Sequence, residues 1–370
     1  MDLLVICRIH QRWVRALGDC FALAAKLWWA TNQLGRGIVV FACLFLAAGI
    51  SGCDSEVDGQ LNRITIGSNP PGTNYNLLGA GIAKLLQEKL GIASTVRPFG
   101  GSSVYVPMLH RGEITLGINS SMDSYLSYRG IGPYTSPMPN LRALMSLWTV
   151  GLMYVVRADS GVHRIEELLG KRVVITMRAN TSLASLHRAI LATGGLTEES
   201  VVPITVSGLP EGLRLLIEGR VDAVSAAIDL ALARQAHAAI PGGIRFLEMG
   251  QDEEKLSELM PGSWVATAVP GPVTVALDEP TRIANFNSFV NTGVHLSEND
   301  AYIIVKTIHG NWDSLQNDYP ILAAIPADSL VPSNTPHPYH RGAVRYFKEV
   351  GLWNEAHEGN QAQLAAVHER

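Results

Sequence analysis

Four short segments concentrate the groups that can hydrogen-bond a small solute. They span residues 67–75, 100–103, 119–121 and 178–182, and they are rich in serine, threonine, asparagine and glycine. Hydroxyl and amide groups beside unhindered backbone N–H groups can bind polar or anionic ligands. Each segment alone also suits ordinary helix capping, because these residue types are favoured at helix N-termini. Four such segments in one cleft predict a polar binding pocket.

We predict that the pocket is formed by residues of all four segments. They are Asn74, Tyr75, Gly101, Ser102, Asn119, Ser120, Arg178, Asn180, Thr181 and Ser182. Arg178 is the one cation in these segments, and it could either clamp a ligand carboxylate or lie on the surface, as arginine commonly does. Tyr75 could form a wall of the pocket or belong to the core.

The four segments follow predicted strands and precede predicted helices. β-Branched runs at 63–67, 95–98, 114–118 and 173–175 predict strands. The apolar spacing within 77–90 predicts a helix that buries one face. This alternation is typical of an α/β fold, in which such loops lie at the carboxyl ends of the strands.

A similar pattern appears twice, about 107 residues apart. Residues 109–118 and 216–225 both read as the end of a helix, a glycine, a charged residue and a strand. The glycines, Gly112 and Gly219, suit the left-handed cap that turns a helix directly into a strand. Two similar α/β lobes facing one cleft follow from this pattern, although βα units also resemble one another in unrelated proteins.

Two apolar segments are predicted to connect the lobes. Residues 144–157 read as a long extended crossover, and residues 264–269 read as the return. Helices are expected at 297–311 and 341–350, the second of them closing the fold.

Catalytic and cofactor motifs are missing from the sequence. It has no Gly-x-Ser-x-Gly, no His-Glu-x-x-His, no Walker loop and no dinucleotide-binding glycine spacing. All four cysteines lie in the first 53 residues, so thiol catalysis and thiolate metal sites are excluded from the rest of the chain. We therefore expect no catalytic residues, no metal and no cofactor.

Composition excludes further classes of protein. The 370 residues are 47% hydrophobic and 17% charged, with a net charge of -4 and no run of Lys or Arg. These values argue against disorder and against a nucleic-acid partner. The length allows two or three domains.

The N-terminus resembles an export signal. A basic segment is followed by an apolar run at 37–52 and then by Cys53. The tetrapeptide Ile-Ser-Gly-Cys at 50–53 resembles the bacterial lipobox, which implies a lipid on Cys53. Conventional cleavage, or an uncleaved anchor with Cys53 incidental, is the alternative. By resemblance to lipoprotein sorting, Asp54 implies retention at the inner membrane. We assign 1–52 to the signal segment and 53–60 to a tether.

The ordered set of motifs from 61 to 352 resembles the solute receptors of the TAXI branch of TRAP transporters. The matching stretches are Ile66-Gly67, Pro71-Gly72, Tyr75 and Leu78-Gly79; 100–102 with 109–118; 141–144; 155–161; 168–173; 219–223; and His337-Pro338 with 342–351. Two positions depart from the family pattern, namely Thr73-Asn74 before the tyrosine and the Arg-containing loop 177–182 in the second lobe.

This resemblance implies an α/β, type II periplasmic-binding-protein fold, with two α/β lobes around a ligand cleft joined by extended hinge crossings. We expect lobe 1 to comprise 61–147 and 270–370, and lobe 2 to comprise 148–269. The implied function is non-enzymatic capture of a small organic acid or acidic amino acid in the periplasm and delivery to a TRAP permease. Alternatives are a ligand-sensing subunit for a signalling partner and an enzyme built on the same fold.

Overall fold

The computed structural model describes residues 61–368. The predicted signal segment 1–52, Cys53 and the tether 53–60 lie outside the described residues. The described residues form one compact unit. Within 61–368, none of the helices combines the length and the apolar character that crossing a bilayer requires.

A single mixed sheet forms the centre of this unit. Its strands are β1 (Arg63–Ser68), β2 (Ala93–Pro98), β3 (Leu116–Ser120), β4 (Leu141–Arg157), β5 (Arg172–Met177), β6 (Val202–Val206), β7 (Ala223–Ala227), β8 (Ile244–Phe246), β9 (Ser263–Ala268) and β10 (Thr281–Gly293). Their order is β2-β1-β3-β10-β4-β7-β5-β6, with β8 paired to β4 and β9 paired to β10.

The helices connect these strands and pack on the sheet. They are α1 (Asn74–Leu90), α2 (Ser102–His110), α3 (Ser121–Arg129), α4 (Ser182–Thr193), α5 (Leu209–Ile217), α6 (Ala231–Ala239), α7 (Glu254–Leu259), α8 (Glu298–Gly310), α9 (Trp312–Asp318), α10 (Arg341–Glu349) and α11 (Glu355–Ala365). The segment Ile165–Leu168, together with a few other short turns, is 3₁₀-helical.

The strand order shows two copies of one unit. β2-β1-β3 and β6-β5-β7 have the same internal order and are placed symmetrically about the central pair β10-β4. In each copy the neighbouring strands run parallel. Gly112 and Gly219 both have left-handed backbones, with φ of 72° and 68°, as the repeat predicts. The two-lobed α/β fold expected from the sequence is confirmed.

Two long antiparallel strands connect the lobes. β4 pairs with β10 along most of its length and continues into pairing with β7 and β8. The prediction of an extended crossover at 144–157 is therefore confirmed. β4 is almost wholly buried, which explains its near-continuous apolar sequence.

The prediction of the return crossing at 264–269 is wrong. Those residues form β9, a partly exposed strand that pairs with one end of β10. The chain returns to the first lobe through β10, between Thr281 and Gly293. Its sequence does not read as an apolar strand because it contains several polar residues, four of which, Asn285, Ser288, Asn291 and Thr292, are buried.

The first helix begins earlier than expected. Thr73 caps α1 by accepting a hydrogen bond from the Asn76 backbone N–H at 3.3 Å. Asn74 and Tyr75 therefore lie in the first helical turn and not in a loop. The chain also continues past α10, the predicted closing helix, into α11.

The predicted apolar face of α1 packs against the sheet. Leu78, Ile82, Leu85 and Leu86 are all buried in the main core. Burying each such side chain stabilises the fold by about 1.5–3 kcal/mol relative to exposure. This packing fixes the position of the first turn of α1, which carries Asn74 and Tyr75.

Candidate functional site

A cavity lies where the carboxyl ends of the strands of both lobes meet. Its internal volume is about 80 Å³, room for a small solute. The lining comes from the loops after β1, β2, β3, β5, β6 and β7 and from the faces of β4 and β10. It comprises Asn69, Thr73, Asn74, Tyr75, Ser102, Ser120, Met122, Asp123, Trp148, Val150, Leu152, Asn180, Leu183, Leu209, Ser225, Ala226, Ala227, Asp229, Leu230 and Phe286.

Five of the ten predicted site residues form part of the wall of this cavity. They are Asn74, Tyr75, Ser102, Ser120 and Asn180. Others lie beside it and hold the two lobes together, namely Gly101, Thr181 and Ser182. Asn119 and Arg178 neither line the cavity nor belong to this contact between the lobes.

Asp123 joins the elements around the cavity. Its side chain is 3% exposed, and it lies in the first turn of α3. One carboxylate oxygen accepts hydrogen bonds from the hydroxyls of Ser102 at 2.5 Å and Ser120 at 2.8 Å. The other accepts from Tyr134 at 3.2 Å and from Ser182 of the second lobe. Four hydroxyl donors thus offset the cost of burying this group.

Further hydrogen bonds between 102–103 and 180–181 complete a latch between the lobes. The Ser102 backbone N–H donates to Asn180 Oδ1 at 2.7 Å. The Thr181 N–H donates to Ser103 Oγ at 2.9 Å. Gly101 permits this approach, since a Cβ there would overlap the Asn180 side chain and the Ala179 carbonyl. Thr181 and Ser182, which were predicted to contact the ligand, do not line the cavity here, and both bond across the latch.

Asn119 is buried below the cavity. Its side chain accepts from Asn291 Nδ2 at 2.8 Å and donates to Ser124 Oγ at 2.9 Å. Asn291 in turn pairs with His337 at 2.8 Å. Asn119 therefore belongs to a polar network that joins β3 to β10, and its side chain is committed to that network.

Arg178 does not line the cavity. Its side chain is exposed, whereas that of the preceding residue, Met177, is buried, because alternate residues of an extended chain point to opposite sides. The backbone N–H of Arg178 donates to the Val206 carbonyl at 3.0 Å, which fixes this orientation. The predicted counter-charge for a ligand carboxylate is therefore outside the cavity in this conformation.

The sequence analysis missed the apolar and acidic part of the lining. Trp148, Val150 and Leu152 come from β4, and Phe286 comes from β10. Residues of a long central strand read as core from their sequence alone. Asp123 and Asp229 were also missed. The internal repeat could have identified them, because each aspartate follows the corresponding strand of its half, β3 or β7.

Asp229 has one carboxylate oxygen that is not hydrogen-bonded to any described residue. One of its carboxylate oxygens, Oδ1, is buried without a hydrogen-bond partner in the described part of the chain. Burial raises the pKa of Asp229 from 3.8 to about 6, and its own backbone N–H and the Asn74 side chain oppose that rise. The residue is thus a mostly ionised carboxylate at neutral pH, it lines the cavity, and one of its oxygens has no partner within 61–368.

Two aromatic rings form one wall of the cavity. Tyr75 and Trp148 pack with their centroids 4.9 Å apart and their planes at 60°. Burial, followed by the charges of Asp123 and Asp229, raises the pKa of Tyr75 well above its usual value, so its hydroxyl is neutral. The indole N–H of Trp148 is buried and has no acceptor among residues 61–368.

Ser225 in the middle of β7 is fully buried and has a fixed hydroxyl. His187 Nδ1 lies 2.7 Å from the Ile175 carbonyl, which only accepts, so Nδ1 carries the proton. Burial lowers the pKa of His187 to about 4, and its neutral Nε2 accepts from Ser225 Oγ at 2.7 Å. The Ser225 hydroxyl is therefore committed to His187, and this bond ties β7 to α4 behind the cavity wall.

A family model described as the NMT1-like family matches residues 66–351. This range covers well over half of the chain. The chain belongs to the NMT1-like family. All lining residues, from Asn69 to Phe286, fall inside the matched range, so the cavity lies in the part of the chain that this NMT1-like protein shares with its family.

Solved structures resemble this NMT1-like protein in fold. A structure described as a periplasmic transporter is 13% identical over 83% of this chain and 97% of its own, with a TM-score of 0.51. The alkanesulfonate-binding protein SsuA from Xanthomonas axonopodis pv. citri, bound to MOPS, is 16% identical over 83% and 89%, with a TM-score of 0.43. An ancestral arginine-binding protein bound to arginine is 19% identical over 70% and 98%, with a TM-score of 0.42.

Replacing Asp229 by Asn should stabilise the NMT1-like protein at alkaline pH. Because the pKa is raised, the ionised carboxylate lowers the free energy of unfolding. This loss of stability is full above pH 6, where the folded protein is ionised, and absent below about pH 4, where the carboxyl is protonated in both states. At pH 8 the gain should be about 1–3 kcal/mol, and it should vanish as the pH falls to 4. Urea unfolding of the wild type and the variant at pH 8 and at pH 4 measures this gain in stability. The exposed Asp252→Asn serves as control, and an equal effect of both variants would contradict this account.

Replacing Gly101 by Ala should hold the lobes apart. The added Cβ meets Asn180 and Ala179 across the latch, so the hydrogen bonds of Ser102 and Thr181 cannot form together. We expect a larger radius of gyration by X-ray scattering and faster hydrogen exchange at both N–H groups. Gly271→Ala is the matched control, because a Cβ there meets nothing within 4 Å. Unchanged exchange in Gly101→Ala would show that the latch does not depend on this close approach.

Proposed function

We propose that the chain is the solute receptor of a membrane permease, which captures a small solute between its lobes and delivers it to that permease. The observation that carries this proposal is the latch across the cavity mouth, with the hydroxyl of Ser182 on one lobe bonded to Asp123 on the other. Such a pair forms only when the lobes are close together. A cavity that is lined by both lobes and enclosed by such a latch suits a protein that closes around its ligand.

Closure is explained by the distribution of the lining residues. Asn74, Tyr75 and Asp123 belong to the first set of parallel strands and helices, while Asn180 and Asp229 belong to the second. A solute that contacts both sets binds the closed form more tightly than the open form, and this difference in affinity drives closure. β4 and β10 connect the two sets and are the natural position of the hinge.

The permease we propose is of the TRAP class, with the receptor in its TAXI branch. The motifs between 61 and 352 that resemble that branch support this assignment, and membership of the NMT1-like family and the periplasmic-transporter fold are compatible with it. By the same resemblance, the protein acts in the periplasm. A lipid on Cys53 would hold it at the inner membrane and raise its concentration beside the permease without new contacts.

The resemblance also implies that the ligand is a small organic acid or an acidic amino acid. The cavity lining is unfavourable for that class. It includes Asp123 and Asp229, and none of its residues is Lys, Arg or His. A further carboxylate in the same cavity would be repelled by both.

Solute binding tests the receptor function. We expect thermal unfolding of the full chain to shift upward with one chemical class in a panel of organic acids, amino acids, primary amines and sugars. At about 100 times its dissociation constant a ligand stabilises the protein by roughly 2.7 kcal/mol. NMR of the mixture should show the solute unchanged. Conversion of the solute would indicate an enzyme, and the absence of stabilisation by every class would contradict the receptor proposal.

Delivery requires its own measurement. Uptake of the stabilising solute by membrane vesicles that contain the permease should depend on added receptor. A solute that binds the chain without stimulating uptake, while a signalling protein responds to it, would favour the sensing subunit instead.

Replacing Cys53 by Ala should abolish lipid attachment. Cells expressing the full chain and fed labelled palmitate should incorporate the label into the wild-type protein, and the variant should remain unlabelled and leave the membrane fraction. Cys43→Ala, within the apolar run, is the matched control and should retain the label. Loss of label in neither variant would show that Cys53 is not the lipid attachment site.

A further inference from the structure

The charge of the cavity is carried by two aspartates that differ in their surroundings. Asp123 accepts hydrogen bonds from four hydroxyls, so both of its oxygens are occupied. Asp229 has a buried Oδ1 with no partner in the described part of the chain. The two residues follow β3 and β7, the corresponding strands of the two halves. One half thus has a fully bonded carboxylate, while the other presents an open one.

An open buried carboxylate is costly unless a donor or a cation reaches it. The groups that act on Asp229 are its own backbone N–H and the Asn74 side chain from α1. Tyr75, also on α1, and Asp123 on α3 are the titratable residues that share its cavity lining, and neither is a cation. The chain itself therefore does not neutralise this charge within the cavity, and a positively charged ligand group would.

The chemistry of the donor fits the Asp229 carboxylate. An ammonium group has three donors and no acceptor. Asp229 therefore suits such a group better than it suits a carboxylate.

The rest of the lining suits the body of a small organic cation. Tyr75 and Trp148 are aromatic residues of the lining, and aromatic rings attract cations. Val150, Leu152 and Phe286 add apolar residues to the same lining. The volume of about 80 Å³ restricts the solute to a few carbon atoms.

We propose that this cavity binds a small primary amine as its ammonium ion, with the charged nitrogen donating to the Asp229 carboxylate and the carbon chain lying against Trp148 and β4. This inference rests on the receptor function and specifies the class of its solute. It replaces the organic acid implied by the resemblance, since the one arginine predicted to bind such an acid, Arg178, lies outside the cavity.

Protonation of Asp229 would weaken such binding. Its pKa lies at about 6 without ligand, so the charge is present at pH 7.5 and largely lost at pH 5. The pKa of Tyr75 is raised well above its usual value, so this residue stays neutral throughout. Amine affinity should therefore fall by tenfold or more between pH 7.5 and pH 5.

A series of probes matched in length provides the test. The full chain is titrated by calorimetry and by thermal unfolding with ethylamine, propylamine, butylamine and pentylamine, and with the alcohol and the carboxylate of each length. We expect saturable binding of at least one amine and none of its alcohol and carboxylate counterparts. Glutamate and 2-oxoglutarate are included as representatives of the organic-acid class.

Variants then locate the binding. Asp229→Asn, which keeps the shape of the side chain, should weaken amine binding by tenfold or more, and the exposed Asp252→Asn should leave it unchanged. Selective binding of a carboxylate that is lost in Arg178→Ala would overturn the amine proposal and leave the receptor function intact. Failure of every amine to bind would overturn the amine proposal, and the receptor function would fall only if the amino acids, sugars and organic acids of the wider panel also failed to bind. Amine binding that persists unchanged in Asp229→Asn would overturn the amine proposal alone.

Discussion

The carboxylate of Asp123 is the point on which the closed arrangement of this protein depends. It is buried between helices of both lobes and is stable there because four hydroxyls donate to it. Three of these donors, from Ser102, Ser120 and Tyr134, belong to the first lobe, and the fourth, from Ser182, belongs to the second. When the lobes separate, the carboxylate loses the donor from Ser182. Closure is therefore tied to the solvation of one charge, and the neighbouring bonds of 102–103 with 180–181 add to the same contact.

The duplicated strand order explains why the latch and the cavity lie together. In each half the parallel strands end at the same edge, where helix N-termini and strand-to-helix loops collect. The central pair β4 and β10 brings these two edges face to face. Loops from equivalent positions then meet across the cleft, so that some of their residues bond to each other and some border the space that remains. Burial of β4 and the apolar part of β10 gives this space a wall of Trp148, Val150, Leu152 and Phe286.

The two halves differ in how their aspartates are hydrogen-bonded. Asp123 and Asp229 occupy comparable places after β3 and β7, yet only Asp123 has a full set of hydroxyl donors. A buried polar atom without a partner lowers stability, and proteins commonly retain such costs where a ligand is bound. Asp229 and the indole N–H of Trp148 are both of this kind and both border the cavity. This coincidence supports the proposal that the cavity is the binding site for the solute.

Much of the fold could be predicted from the sequence, because it depends on local patterns. Strands β1, β2 and β5, the helices α1 and α4, and the capping glycines Gly112 and Gly219 follow from periodicity and backbone preference. The positions of the polar loops follow too, since they are the strand-to-helix junctions. β10 could not be recognised in this way, because its buried Asn285, Asn291 and Thr292 break the apolar pattern. Asn291 and Thr292 are stabilised by hydrogen bonds to Asn119 and Thr115, which are distant in sequence.

The composition of the site was decided by tertiary structure. Types and spacing of residues identified Asn74, Tyr75, Ser102, Ser120 and Asn180, but gave no means to tell a residue that borders the cavity from one that bonds across the latch, such as Ser182. Whether Arg178 points inward depends on the side of the chain on which it emerges after β5. The importance of Asp229 depends on which donors approach it in three dimensions. A linear sequence specifies the groups that can bind, and the packing of the two lobes determines which of them remain unpaired.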